Sequence, residues 1–137
     1  MNVRSVLTSG VAAGFVIILC EIVLVPIIGD EMDLVLRDRG LPALSGGAMT
    51  YFGIMSLLLG IFIVWLYAAV LPRLGPGVKT SIVVSTIVWF FTYFWSNASM
   101  VAYGFMPVRI TFIGTLWGLL ELVLAGIVGA RLYKERV

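Results

Sequence analysis

Residues 6–28 read VLTSGVAAGFVIILCEIVLVPII, 23 positions holding no Lys, Arg or His and one carboxyl side chain, Glu21. A helix rising 1.5 Å per residue needs ~20 apolar residues to cross ~30 Å of hydrocarbon, and this run is long enough. Inside lipid the backbone N–H and C=O groups find no water, so only helices and closed barrels survive, and a continuous apolar run lacks the alternation of a barrel strand. Three more stretches, Met49 to Leu71, Thr80 to Tyr103 and Ile110 to Leu132, pass the same test. The reading is all-α: a single domain, residues 1–137, that is an integral membrane four-helix bundle.

Composition agrees. Of 137 residues, 61% are hydrophobic and 12% charged, against roughly a quarter charged in a soluble domain. The net charge of +2 is too small and too scattered for a nucleic-acid surface, so nucleic acid is not expected as a partner. One cysteine, Cys20, rules out an intrachain disulfide or a Cys-x-x-Cys pair, and the chain has no histidine, so the usual ligands of haem iron, copper and catalytic zinc are missing. No cofactor or metal is expected. Arg4 before the apolar run resembles the start of a signal peptide, but the run is too long for a signal core and no small-x-small site follows it. Nor does Leu19 suit lipoprotein processing at Cys20. Residues 6–28 are therefore read as a retained first span.

The basic residues orient the bundle. Arg4, Arg73, Lys79, Arg131, Lys134 and Arg136 fall on one side, Arg37, Arg39 and Arg109 on the other. Both termini are expected in the cytoplasm. In the first extracytoplasmic loop, Asp30 can cap a short amphipathic helix with Met32, Val35 and Leu36 on one face, stopped by Gly40 and Pro42. Such a helix would lie on the outer surface. The loop Leu71-Pro72-Arg73-Leu74-Gly75-Pro76-Gly77-Val78-Lys79-Thr80 is tight and predicts an antiparallel hairpin of the second and third spans. Its glycines and Lys79-Thr80 do not have the spacing of a phosphate loop. In the third span the aromatic block of Trp89, Phe90, Phe91, Tyr93, Phe94 and Trp95 leaves two ends open, near Asn97 or near Tyr103, and the longer span is preferred.

Small residues mark the packing faces. Gly114, Gly118, Glu121, Ala125 and Gly129 recur at helical spacing in the last span, and Gly10, Gly14, Ile17 and Glu21 do so in the first. Small-xxx-small stripes let backbones approach closely, so these two spans are expected to meet each other or copies of themselves. Glu21 and Glu121 are the intramembrane acids. A charge at such depth costs ~2.5–3.5 kcal/mol on insertion scales, and no basic residue lies at that depth, so neutral acids are expected. Were the first and last spans antiparallel neighbours, Glu21 would lie roughly 10 Å and Glu121 roughly 16 Å from the outer end, within reach of a shared water or ligand. The third span adds a hydroxyl stripe of Ser81, Ser85, Thr92, Ser96 and Ser99, with Tyr93 beside it; these hydroxyls either bond the acids or bond back to their own carbonyls.

The segment Trp65-Leu66-Tyr67-Ala68-Ala69-Val70-Leu71-Pro72-Arg73-Leu74-Gly75-Pro76-Gly77-Val78-Lys79-Thr80, with Leu41-Pro42-Ala43-Leu44-Ser45-Gly46-Gly47 and the first-span acid, resembles a group of small uncharacterised bacterial membrane proteins of about this length. That resemblance implies four spans in a bacterial cytoplasmic membrane and no particular activity. Small multidrug resistance transporters are similar in architecture only, having four spans, a first-span glutamate and glycine packing in the last; the motif around Glu21 does not match theirs, and Glu121 and the outer helix depart from their pattern.

Two functions follow as expectations. The first is a non-catalytic helical membrane subunit that packs into a homo-oligomer or a larger membrane complex and holds lipid or an apolar ligand. The alternative is a proton-coupled small-molecule transporter using Glu21 and Glu121. An enzyme is not expected, because no nucleophile, general base and orienting group stand at a recognisable spacing.

Overall fold

Four helices long and apolar enough to cross a membrane make up the computed structural model, which describes residues 1–135; Arg136, counted above among the basic residues, lies outside them. They are α1 (Val3–Asp38), α2 (Gly46–Leu74), α3 (Val78–Ala102) and α4 (Val108–Leu132). The described residues hold no strand. This is an all-α bundle with the make-up of a multi-pass membrane protein.

Local chemistry sets the ends. Asn2 caps α1 by accepting from the Ser5 N–H, and the Ser45 hydroxyl caps α2 by accepting from the Ala48 N–H at 3.3 Å. Gly40 follows α1 with a φ of +68°, a left-handed conformation that glycine adopts without steric cost. Gly75 and Gly77 do the same work between α2 and α3, where the Gly77 N–H donates to the Tyr67 hydroxyl at 3.0 Å.

α1 differs from expectation. Residues 30–38 are helical and end before Gly40, but they continue the first span instead of forming a separate surface helix, and Asp30 caps nothing. Its 36 residues reach about 54 Å, well beyond a bilayer core. Pro26 removes one N–H, but its ring fixes a helical φ, and Gly29 alone does not stop a helix whose next residues again suit one. The acidic loop is thus the projecting end of α1, where Glu31 pairs with Arg109 at the start of α4.

α1 packs on α2 and α4, and α3 also packs on α2 and α4, so α1 and α3 stand across the bundle from each other. The closest seam joins α1 and α2. A Cβ added at Gly60 would strike the backbone of Gly14 and Gly10, and one at Gly10 would lie 2.5 Å from the Ile61 Cα. These glycines thus serve α2, not the expected contact with the last span, although α1 and α4 do meet elsewhere. Gly129 of α4 packs on Val64 and Ala13. Gly114 has open space where its side chain would be and packs against nothing, contrary to its place in the small-residue stripe.

Burial is uneven along the bundle. Ile63, Val64, Tyr67, Ala68, Val84, Val88, Leu122 and Ala125 form the core with Ala13 and Ile17. No residue of 46–59 in α2 or of 89–102 in α3 is buried. The chain is therefore packed tightly in the half nearest its termini and open in the other. At the packed end the termini are clasped: the Met1 ammonium meets Glu135 at 2.9 Å, the Lys134 N–H donates to the Ser5 hydroxyl at 2.7 Å, and Asn2 donates to both the Tyr133 hydroxyl and the Lys134 carbonyl.

Candidate functional site

Glu21 of α1 and Glu121 of α4 meet at one side chain, Tyr93 of α3. The Tyr93 hydroxyl contacts Glu21 Oε1 at 3.4 Å and makes a short hydrogen bond with Glu121 Oε1. Since the backbones of α1 and α3 do not approach each other, this phenol joins the two helices across the bundle. The site lies where the tight half gives way to the open one: Glu121 is fully buried, while Glu21 and Tyr93 are half-buried.

Local backbone geometry brings Tyr93 there. Phe90–Phe94 form a π turn inside α3, with hydrogen bonds reaching one residue further than in an α-helix. Both flanks of the turn are tied to α4. Before it, the Trp89 indole N–H donates to the Thr115 carbonyl at 2.7 Å; after it, Asn97 Nδ2 donates to the Thr115 hydroxyl at 2.9 Å. Gly118 makes room for the phenol, because a Cβ there would collide with the Tyr93 ring. On the other side of Glu21, the Trp117 indole N–H donates to the Cys20 carbonyl at 3.1 Å and pins α1 to α4.

The phenol has one proton to give and lone pairs to accept with. When it donates to one carboxyl, the second contact is a hydrogen bond only if the other carboxyl is protonated and donates to the phenol oxygen. Three groups without a cation beside them can thus hold and pass a proton among themselves. Glu121 Oε2 remains buried and without a hydrogen-bond partner among the described residues, so the site has acceptor capacity to spare.

The expected hydroxyl stripe divides in two. Thr92 and Ser99 donate to their own i−4 carbonyls, Val88 and Trp95, and Ser96 is exposed. Ser81 and Ser85 are fully buried beside Gly126. The π turn explains the division, since one extra residue per turn rotates everything after it out of phase with residues before it. The sequence singles out both acids, within reach of each other if the first and last spans are neighbours, and sets Tyr93 beside a hydroxyl stripe, but it does not single out the turn, Gly60, Gly126 or the tie through Thr115. A lone glycine in the run Leu57-Leu58-Leu59-Gly60-Ile61-Phe62-Ile63 was a usable signal for the second; nothing in the aromatic block signals a π turn.

Comparison with protein-family models, curated proteins and solved structures returns no match to this chain.

Proposed function

We propose that this chain is a proton-coupled membrane transporter of a small cationic or apolar compound, with Glu21, Tyr93 and Glu121 as the proton- and ligand-exchanging site. The carrying observation is that one phenol meets both intramembrane carboxyls, which neighbouring helices carry, next to the bundle's open half. An ionisable residue inside a membrane is expensive, and two brought together around a hydroxyl suit exchange of a proton for a ligand better than they suit packing alone. The test is uptake in proteoliposomes carrying a pH-sensitive dye, run across a panel of lipophilic cations and apolar compounds. Proton movement should accompany uptake of at least one compound and be lost in Glu21→Gln and Glu121→Gln. If both variants behave as the parent, or no compound moves protons, the reading is wrong.

A second reading, a non-catalytic subunit of a homo-oligomer or larger membrane complex, is supported by the unburied stretches of α2 and α3 and by an apolar groove of about 280 Å³ between α1 and α4, lined in part by Leu19, Cys20, Val23 and Trp117. Lipid chains or another membrane helix suit both. Native mass spectrometry from mild detergent would remove this reading by finding only lipid-free monomer. For either role we propose a bacterial cytoplasmic membrane, as the resemblance to small bacterial membrane proteins implies, with both termini inside, on the excess of Arg4, Arg73, Lys79, Arg131 and Lys134 at the end that holds the termini. Reporter fusions at either terminus test that sidedness.

A further inference from the structure

We infer that Ser81 and Ser85, facing Gly126 across the α3–α4 seam, form a proton relay that connects Glu121 with the end of the bundle where the chain termini lie. This rests on the proton-linked reading of Glu121 and adds the route by which its proton comes and goes.

Three buried side-chain oxygens lack a hydrogen-bond partner among the described residues: Glu121 Oε2, Ser85 Oγ and Ser81 Oγ. Buried polar atoms are nearly always satisfied by protein or by water, so three such atoms on two facing helices point to water. The two serines are also unlike their neighbours. Thr8, Thr50, Ser56, Thr86, Thr92, Ser99, Thr111 and Thr115 each donate to a carbonyl four residues back, the usual way a hydroxyl is satisfied in a helix. Ser81 and Ser85 do not. Their hydroxyls turn instead toward Gly126, where a Cβ would collide with Ser85 Oγ and lie 3.0 Å from Ser81 Oγ. Glycine thus leaves this spot to hydroxyls.

The axial spacing suits a relay. Ser81 and Ser85 are one turn apart, and Thr80 continues the polar line outward by donating to the Gly75 carbonyl at 2.7 Å in the α2–α3 loop, which Arg73 of α2 and Lys79 of α3 flank. In the other direction Gly126 and Glu121 are five residues apart, about 7.5 Å along the axis. That rise is about two waters long at 2.7–2.8 Å per O–H···O link. The step conserves every atom: a proton from water at the loop passes to a hydroxyl oxygen as that hydroxyl gives up its own, each serine ends as it began, and the ionised Glu121 carboxylate takes the proton.

The relay is tested by hydrogen–deuterium exchange at Glu121, read from the carbonyl stretch of its protonated carboxyl in proteoliposomes of the full chain. A Glu21→Gln background leaves Glu121 as the one intramembrane carboxyl reporting. On mixing with D2O, Ser81→Ala/Ser85→Ala should slow the exchange by about a hundredfold, the lower end of what a positioned proton-transfer group contributes. Ser99→Ala, whose hydroxyl bonds a carbonyl in the open half, should leave it unchanged. Each alanine also removes an unpartnered buried hydroxyl, so the double variant should melt no lower than the parent, and the single variants repeat the test should it fold poorly. An unchanged exchange rate in the alanine variants overturns the relay, because deuterons then reach Glu121 from the open half. The outcomes separate cleanly: slowed exchange together with uptake indifferent to Glu121→Gln would end the transport reading and keep the relay, whereas unchanged exchange together with Glu121-dependent uptake would do the reverse.

Discussion

Gly60→Ala should break the tightest seam in the molecule. The added Cβ would fall on the Gly14 backbone N and, at 2.5–2.6 Å, on the Gly10 carbonyl oxygen and the Gly14 Cα. All three atoms are main chain, so no side chain can swing aside, and α1 must move away from α2 along the seam where Gly10 and Gly14 also pack. Overpacking costs about 1–3 kcal/mol where side chains can adjust, and a rigid backbone contact belongs at or above the top of that range. Ala is a better helix former than Gly by about 0.8–1.0 kcal/mol, which offsets part of the loss and leaves a net destabilisation of about 2 kcal/mol. Gly53→Ala is the matched control, seven residues away on the same helix with open space around it; it should be neutral or slightly stabilising. The assay is reversible unfolding of the purified chain in mixed micelles, followed by circular dichroism. A Gly60→Ala protein as stable as Gly53→Ala would refute the packing of α1 on α2 described above.

Tyr93→Phe removes the hydroxyl that both carboxyls share while keeping the ring over Gly118. The loss should be about 1–3 kcal/mol, measured by the same unfolding, because buried Glu121 is left short of a partner. Gly114→Ala, on the stripe but facing open space, should be tolerated, whereas Gly118→Ala should displace the phenol and, like Tyr93→Phe, lower proton-coupled uptake in the proteoliposome assay. Arg109→Ala should change stability by no more than about 1 kcal/mol, since its pair with Glu31 is exposed to solvent and screened by salt. At the clasp, burial, and after it the neighbouring Glu135 carboxylate, push the Tyr133 phenol above its ordinary value. A raised folded value means that this contribution is complete below about pH 10 and is lost as pH rises further. Alkaline destabilisation should therefore weaken in Tyr133→Phe, and an unaltered alkaline limb would show that the clasp does not titrate.

The sequence makes the spans legible because the physics is coarse: a run such as residues 6–28 has no alternative to a helix once water is excluded. The acids were legible for the same reason, being costly wherever a span carries them. Tyr93 lay within view as the phenol beside a hydroxyl stripe. What escaped depended on phase. Extrapolating the third span at 3.6 residues per turn put Thr92 and Ser96 on one face with Ser81 and Ser85, and the π turn at Phe90–Phe94 separates them. The glycine stripes were seen, but a stripe names a face and not the neighbour it meets, so Gly10 and Gly14 were matched to the last span when the complementary gap is Gly60 on the second. The end of the first helix differs from the expectation because neither Pro26 nor Gly29 stops it, so Asp30 falls within the helix and not at a new cap.

The joined termini have a consequence for how the molecule is made. Met1 meets Glu135 and Ser5 meets Lys134, so this clasp can close only after the ribosome has delivered Lys134 and Glu135, past the end of α4. Until then α1 waits in the lipid beside α2, and α4 arrives late to close the ring. A fusion partner that consumes the amine of Met1 would be felt at Glu135, beyond the end of α4.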